Sequence, residues 1–223
     1  MSENGAHGST RLPPAPMNRR AQTGRGQAPG SVRIIGGRWR GTRLQVPHKP
    51  GLRPTSDRVR ETLFNWLMPV LPGARVLDLF AGSGALGLEA ASRGAASVQL
   101  LEADPQLAQA LEAAAARLGA TTQVRVHRGD ALAWLRMDDG VRHDIAFVDP
   151  PFDAKLWPAV LELLPARLAA DAWLYVESPA DHTPALPTEW VLHRESATRE
   201  VRYALYRRVT LAEVLHGGDP ATT

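Results

Sequence analysis

Residues 75–87 read RVLDLFAGSGALG. The first six, RVLDLF (75–80), form an apolar run of strand length. The chain then passes Gly82, Gly84 and Gly87, a G-x-G-x-x-G spacing, into GALGLEAASRG (84–94), a helical stretch closed by Gly94. A strand delivered to a helix through a glycine turn is the first half of a β-α-β unit, and the fold follows from whether that unit repeats.

It does repeat. SVQLLEA (97–103) reads as a strand and PQLAQALEAAAARLG (105–119) as a helix, with Pro at its first turn and Gly at its end. QVRVHRGDA (123–131) is a third strand, followed by a short helix around Leu132–Arg136. DIAFVD (144–149) is a fourth strand, LWPAVLELLPARLA (156–169) a helix and AWLYVES (172–178) a fifth strand. EWVLHRES (189–196) and VRYALYRR (201–208) are separated by a turn and pair antiparallel. The expectation is an α/β fold: a Rossmann-like, seven-stranded, mostly parallel sheet with one antiparallel strand and helices on both faces.

Ahead of the sheet, SVRIIGGRWRGTRLQVP (31–47) holds two short β-prone runs, a small basic hairpin. RPTSDRVRETLFNWLMPVL (53–71) follows as an amphipathic helix with Thr55, Ser56 and Asp57 as N-cap candidates and Pro69 ending or kinking it. Residues 1–30 are rich in Gly, Pro and Arg with little to bury, the composition of a disordered basic tail. The expected division is therefore tail 1–30, hairpin and helix 31–72 packed on the main domain, main domain 73–209 and a flexible end 210–223.

The 223 residues carry a net charge of +3, distributed unevenly. Residues 1–60 hold twelve Lys/Arg and two acids; the remainder hold fourteen and twenty-one. A basic N-terminal quarter on an acidic body fits an anionic partner docking at one end. The absence of cysteine excludes disulfides, Cys-ligated metal and a thiol nucleophile, so C5-pyrimidine methylation through a thiol adduct is out. No apolar run has the length of a membrane span; a cytoplasmic protein without a metal site is expected.

The chemistry should lie at the carboxyl ends of the strands. Four of those ends carry an acid: Asp78, Glu102, Asp130 and Asp149. Glu102 stands twenty residues after Gly82, placed to accept ribose hydroxyls. A dinucleotide would put its pyrophosphate at the helix start, where Asp78 opposes it. A nucleoside that also carries ammonium and sulfonium groups suits the acids better: S-adenosylmethionine, with Asp130 accepting from the adenine amine. The fourth strand stops in HDIAFVDPPF (143–152), where two prolines without N–H groups end the ladder.

The ordered set DLFAGSG, LLEAD, GDA and DPPF resembles a class I S-adenosylmethionine-dependent methyltransferase, and DPPF resembles the [DN]PP[FYW] signature of enzymes acting on a planar nitrogen. RIIGGRWRG (33–41), GLRPTSDRVRETLFNWL (51–67) and YVES (175–178) narrow the resemblance to the RsmD family of bacterial 16S rRNA guanine-N2 methyltransferases, over about residues 32–208. It implies a cofactor pocket of Asp78, Phe80, Ala81, Gly82, Gly84, Glu102, Ala103, Asp130 and Ala131, with Arg53, Thr55, Arg58 and Glu61 at its mouth. It implies catalysis at Asp149, Pro150, Pro151 and Phe152. The Asp149 side chain and Pro150 carbonyl take the two amine N–H bonds, and Phe152 stacks on an extruded base. RNA contacts are expected from Arg33, Arg38, Trp39, Arg40, Arg43 and Arg60, with 16S rRNA, within a small-subunit particle, as partner and the enzyme a monomer. The alternatives are another planar nitrogen (DNA adenine N6 or a protein glutamine) and a non-catalytic RNA-binding assembly factor.

Overall fold

The computed structural model describes residues 30–49, 55–151 and 156–209. The expected tails lie outside them except for Gly30, which begins the first strand; Arg53 and Phe152 also lie outside. The chain runs β1 (Gly30–Arg33), β2 (Arg43–Val46), α1 (Asp57–Trp66), β3 (Arg75–Asp78), α2 (Gly87–Ser92), β4 (Ser97–Glu102), α3 (Pro105–Arg117), β5 (Val124–Arg128), α4 (Ala131–Arg136), β6 (His143–Val148), α5 (Trp157–Leu163), β7 (Leu168–Pro179), β8 (Trp190–Ala197) and β9 (Val201–Arg208). Strands β1 and β2 pair as an antiparallel hairpin. The other seven form one sheet in the order β5-β4-β3-β6-β7-β9-β8. Pairing from β5 across to β7 is parallel; β9 runs antiparallel to both neighbours. The expected seven-stranded mixed sheet is the one found.

Strand alternation supplies both faces of the core. Val76, Val98, Ile145, Phe147 and Tyr175 point to one side, where α1, α2 and α3 bring Leu63, Phe64, Leu88 and Leu111. Leu77, Leu101, Val148, Leu174 and Val176 point to the other, under Trp134 of α4 and Trp157 and Val160 of α5. Among the described residues no helix is long and apolar enough to cross a membrane.

Capping follows the sequence closely. Ser56 is the N-cap of α1, accepting from the Val59 N–H at 3.3 Å; Asp104 caps α3 ahead of Pro105; Asp130 caps α4, accepting from the Ala133 N–H at 2.8 Å. Several boundaries differ from expectation. α2 begins at Gly87 because Gly84 has φ +75°, which a right-handed helix does not admit. The α5 region ends at Leu163 and tightens into a 3-10 turn over Leu164–Arg167, since Pro165 cannot donate; β7 then starts at Leu168, four residues early.

The N-terminal hairpin is bound to α2 by a buried ionic cluster. Glu89 of α2 is fully buried and accepts from the Ile35 N–H at 2.8 Å and from Arg93 Nε at 2.6 Å. Arg60 of α1, only 1% exposed, lies 3.5 Å from the same carboxylate and donates to the Arg33 carbonyl at 2.9 Å and to Asp57 at 2.5 Å. Gly37 explains why a diglycine precedes the turn. Its φ is +71°, and a Cβ there would lie 2.0 Å from the Ser92 carbonyl oxygen. Only glycine lets the hairpin loop approach the end of α2, where Ser92 Oγ donates to the Gly36 carbonyl and accepts from the Trp39 N–H.

Candidate active site

The tips of β3, β4, β6 and β7 and the loops beyond them enclose a cavity of about 880 Å³. Asp78, Phe80, Ala81 and Gly82 line it from the first loop, Glu102 and Ala103 from the second, Asp130 and Ala131 from the third, and Asp149, Pro150 and Pro151 from the fourth. Thr55 reaches it from the segment preceding α1. Four separate sequence segments thus meet in one hollow because parallel strands present the same end to the same rim.

Each acid is held differently. Both oxygens of Glu102 are fixed from the backbone: Oε2 accepts from the Gly82 N–H and Oε1 from the Asp104 N–H, each at 2.8 Å. Its remaining lone pairs stay available to vicinal hydroxyls. Asp78 is 3% exposed and accepts from the Gly87 N–H at 2.9 Å. Burial pushes its carboxyl up to about 7; the Gly87 N–H opposes that and the nearby Glu102 charge adds to it. Burial likewise pushes Asp149 well above the usual carboxylate range, with Glu177 and Asp78 adding repulsion. Asp130 stands exposed at the mouth as the α4 N-cap.

A group that titrates higher in the folded protein makes a signed contribution to stability. Asp78 favours the protonated form when folded, so its contribution is complete below about pH 4 and is lost as pH rises through about 7. Asp78→Asn is expected to remove that part of the pH dependence. The variant should exceed the parent in unfolding free energy at pH 8, by about 4 kcal/mol at most, and match it near pH 4. Urea unfolding at the two pH values checks this; parallel profiles for the two proteins would contradict it.

Several expected residues lie elsewhere. Gly84 does not line the cavity: a Cβ there would meet Leu111 at 2.5 Å and Leu88 at 2.9 Å, so its absence of side chain serves packing against α3. Arg58 and Glu61 are exposed on α1, away from the cavity lining. Arg60, expected on an RNA-facing surface, is buried in the Glu89 cluster, because it shares the inward face of α1 with Val59, Leu63 and Phe64. Trp39 is partly buried against the core, with the Arg38 guanidinium 4.0 Å above its ring; Arg38 also donates to Gln123. Arg33, Arg40 and Arg43 are exposed, Arg33 paired with Asp57 at 3.3 Å.

Other lining residues escaped the sequence reading. Lys49 pairs with Asp104 at 2.8 Å across the rim. The β8–β9 turn, Thr198–Val201, closes the far side. Glu177 of β7 lines the floor, 7% exposed, its Oε2 accepting from Tyr175 OH at 2.8 Å. Burial raises the Glu177 carboxyl too. Its signal was a lone acid directly after Leu174–Val176, at the end of an otherwise apolar strand.

The donor set rejects a dinucleotide on geometric grounds. Where a pyrophosphate would meet the start of α2, the Gly87 N–H already serves the buried Asp78 carboxylate. The hollow instead offers paired acceptors at Glu102, carboxylates at Asp78 and Asp149, and an apolar wall from Leu79, Ala85 and Leu86. That combination fits a nucleoside bearing a cationic tail.

Residues 32–207 match the family described as Conserved hypothetical protein 95. The chain is 50% identical over 187 residues to Ribosomal RNA small subunit methyltransferase D of Escherichia coli strain K12, covering 82% of this chain and 93% of that protein. It is 43% identical over 184 residues to the Haemophilus influenzae protein of the same name, with 81% and 95% coverage. The solved structure of yhhF from Escherichia coli superposes with a TM-score of 0.75 at 48% identity, covering 81% of this chain and 99% of that one.

Proposed function

Because this chain belongs to the RsmD family, described as Conserved hypothetical protein 95, we propose that it transfers a methyl group from S-adenosylmethionine to the exocyclic N2 amine of a guanine in 16S rRNA. The relatives are named for methylation of small-subunit ribosomal RNA; the guanine amine and the residue roles are the finer reading. The observation that carries it is the meeting of Asp149 and Pro150 with Asp78, Glu102 and Asp130 in one cavity.

Glu102 would take the ribose hydroxyls, Asp78 the cationic methionine end and Asp130 the adenine amine. The cofactor, when bound, supplies an electrophilic methyl on sulfonium. Guanine's amine is a weak nucleophile because its lone pair is delocalised into the ring. The Asp149 carboxylate and the Pro150 carbonyl, which no proline N–H competes with, would accept its two N–H bonds and turn nitrogen density toward the methyl. The rate gain would come from positioning and from charge stabilisation. Methylation makes the nitrogen acidic, and Asp149, whose carboxyl is already biased toward protonation by burial, would receive its proton.

The RNA would approach over the exposed Arg33, Arg40 and Arg43 of the hairpin. Phe152, proposed to stack on the extruded base, lies outside the described residues. Exposed basic residues on the hairpin favour an RNA acceptor over a protein glutamine, and a complete set of rim acids favours an enzyme over a non-catalytic assembly factor. The protein is expected to act as a monomer on an assembling small subunit. Transfer of labelled methyl to unmodified small subunits and to naked 16S rRNA, followed by mapping of the modified base, tests the reading. Label on guanine N2 supports it; label on an adenine or on protein overturns it.

A further inference from the structure

Selectivity for guanine needs a group that distinguishes its Watson–Crick edge from that of other purines bearing an amine. Guanine presents the N1–H next to the N2 amine, two adjacent donors; adenine presents an unprotonated N1, an acceptor, next to its amine. A carboxylate complements the first pair and opposes the second. Asp149 and the Pro150 carbonyl are committed to the amine in the reaction proposed above, so the N1–H requires a further acceptor on the same floor.

The sheet supplies one. Val148 of β6 stands beside Val176 of β7 in parallel register, so Asp149, just beyond β6, and Glu177, still within β7, come next to each other at the same rim. Both line the cavity. Glu177 is the most inward acid of β7, and its orientation is fixed from the side away from the opening. Tyr175, two residues earlier on the same face and fully buried, donates its hydroxyl to Oε2 at 2.8 Å. The Tyr175 ring is in turn held edge-on against Phe147, centroids 6.1 Å apart. A carboxylate buried at this cost, in a strand otherwise apolar from Leu174 to Val176, needs a donor to complement it. Among the described residues no Lys or Arg pairs with it, and its hydrogen bond comes from the Tyr175 phenol.

We propose that Glu177 reads the target base by accepting the guanine N1–H while Asp149 and Pro150 hold the N2 amine. The assignment rests on the guanine-N2 reading and sharpens it: Glu177 is a specificity residue that touches the base, and Tyr175 is a positioning residue acting through it. The phenol also keeps Glu177 from turning toward Asp149, so the two acids present separate acceptors.

The experiment uses small subunits carrying either guanine or 2-aminopurine at the position mapped with unmodified subunits. 2-Aminopurine retains the amine that is methylated but has an acceptor at N1. The parent protein should strongly prefer guanine. Glu177→Gln preserves size and still accepts from Tyr175, and its amide now donates toward N1. It is expected to lose about 10- to 100-fold in kcat/KM on guanine and to gain on 2-aminopurine, so that the preference collapses. Tyr175→Phe should lower the guanine preference in the same direction by a smaller factor, with unchanged cofactor affinity. Equal losses on both bases, or no loss on guanine, overturn the assignment. If the parent's label falls on a group other than guanine N2, the underlying reading fails first, and that result is visible before any variant is compared.

Discussion

Asp149→Ala is expected to lower methyl transfer by about a thousandfold or more while cofactor affinity stays nearly unchanged. The side chain lies with Glu177 and Asp78 in the cavity lining, and among the described residues its oxygens are the only side-chain acceptors that β6 and residues 149–151 bring to it. Removing them leaves the amine held by one carbonyl, free to rotate its lone pair back into conjugation with the ring. Loss of fold is not the expected cause. Burial raises all three carboxyls, and Glu177 and Asp78 add repulsion at Asp149, so deleting Asp149 relieves repulsion. Asp149→Asn separates two roles: it keeps an acceptor but cannot receive the proton. Retention of measurable turnover in the Asn variant would assign the gain to orientation; a loss equal to that of Ala would make proton acceptance indispensable. Single-turnover rates with cofactor binding measured in parallel distinguish these, and normal turnover by the Ala variant would sink the mechanism.

Glu89→Ala carries the largest expected effect on stability, about 3–5 kcal/mol. The carboxylate is fully buried and serves the Ile35 N–H, Arg93 and Arg60 at once. Its removal takes the counter-charge from Arg60 Nη1, a buried nitrogen that already lacks a hydrogen bond, and leaves the guanidinium to Asp57 and the Arg33 carbonyl. The hairpin should detach before the sheet unfolds, because Glu89 is what joins residue 35 to α2. Urea unfolding combined with limited proteolysis around residues 30–49 reads both effects. A change below about 1 kcal/mol would place the cluster among ordinary surface pairs and leave the docking to the Gly37–Ser92 approach and the Arg38–Gln123 and Arg117–Arg43 hydrogen bonds.

The legible part of the molecule was its local grammar. Alternating apolar runs and glycine or proline punctuation specified the strands and helices, with some of their ends misplaced. The 84–94 helix lost its first three residues because Gly84 adopts a left-handed conformation to pack under Leu111. In the site, Asp78, Glu102, Asp130 and Asp149 were found because each ends its own strand or follows it within two residues, and parallel strands carry such positions to one rim regardless of the rest of the fold.

What the chain determined by itself, then, was the alternation of strand and helix and the placing of an acid at each of four tips, since both depend on residues within a few positions of one another. Tertiary structure alone decided the direction in which side chains point. It turned Arg60 from a presumed RNA contact into a buried tie to Glu89, removed Gly84, Arg58 and Glu61 from the cavity lining, and brought Lys49, the β8–β9 turn and Glu177 into it. Those placements depend on which strand lies beside which, and β7 neighbours β6 only because the whole sheet is assembled in that order.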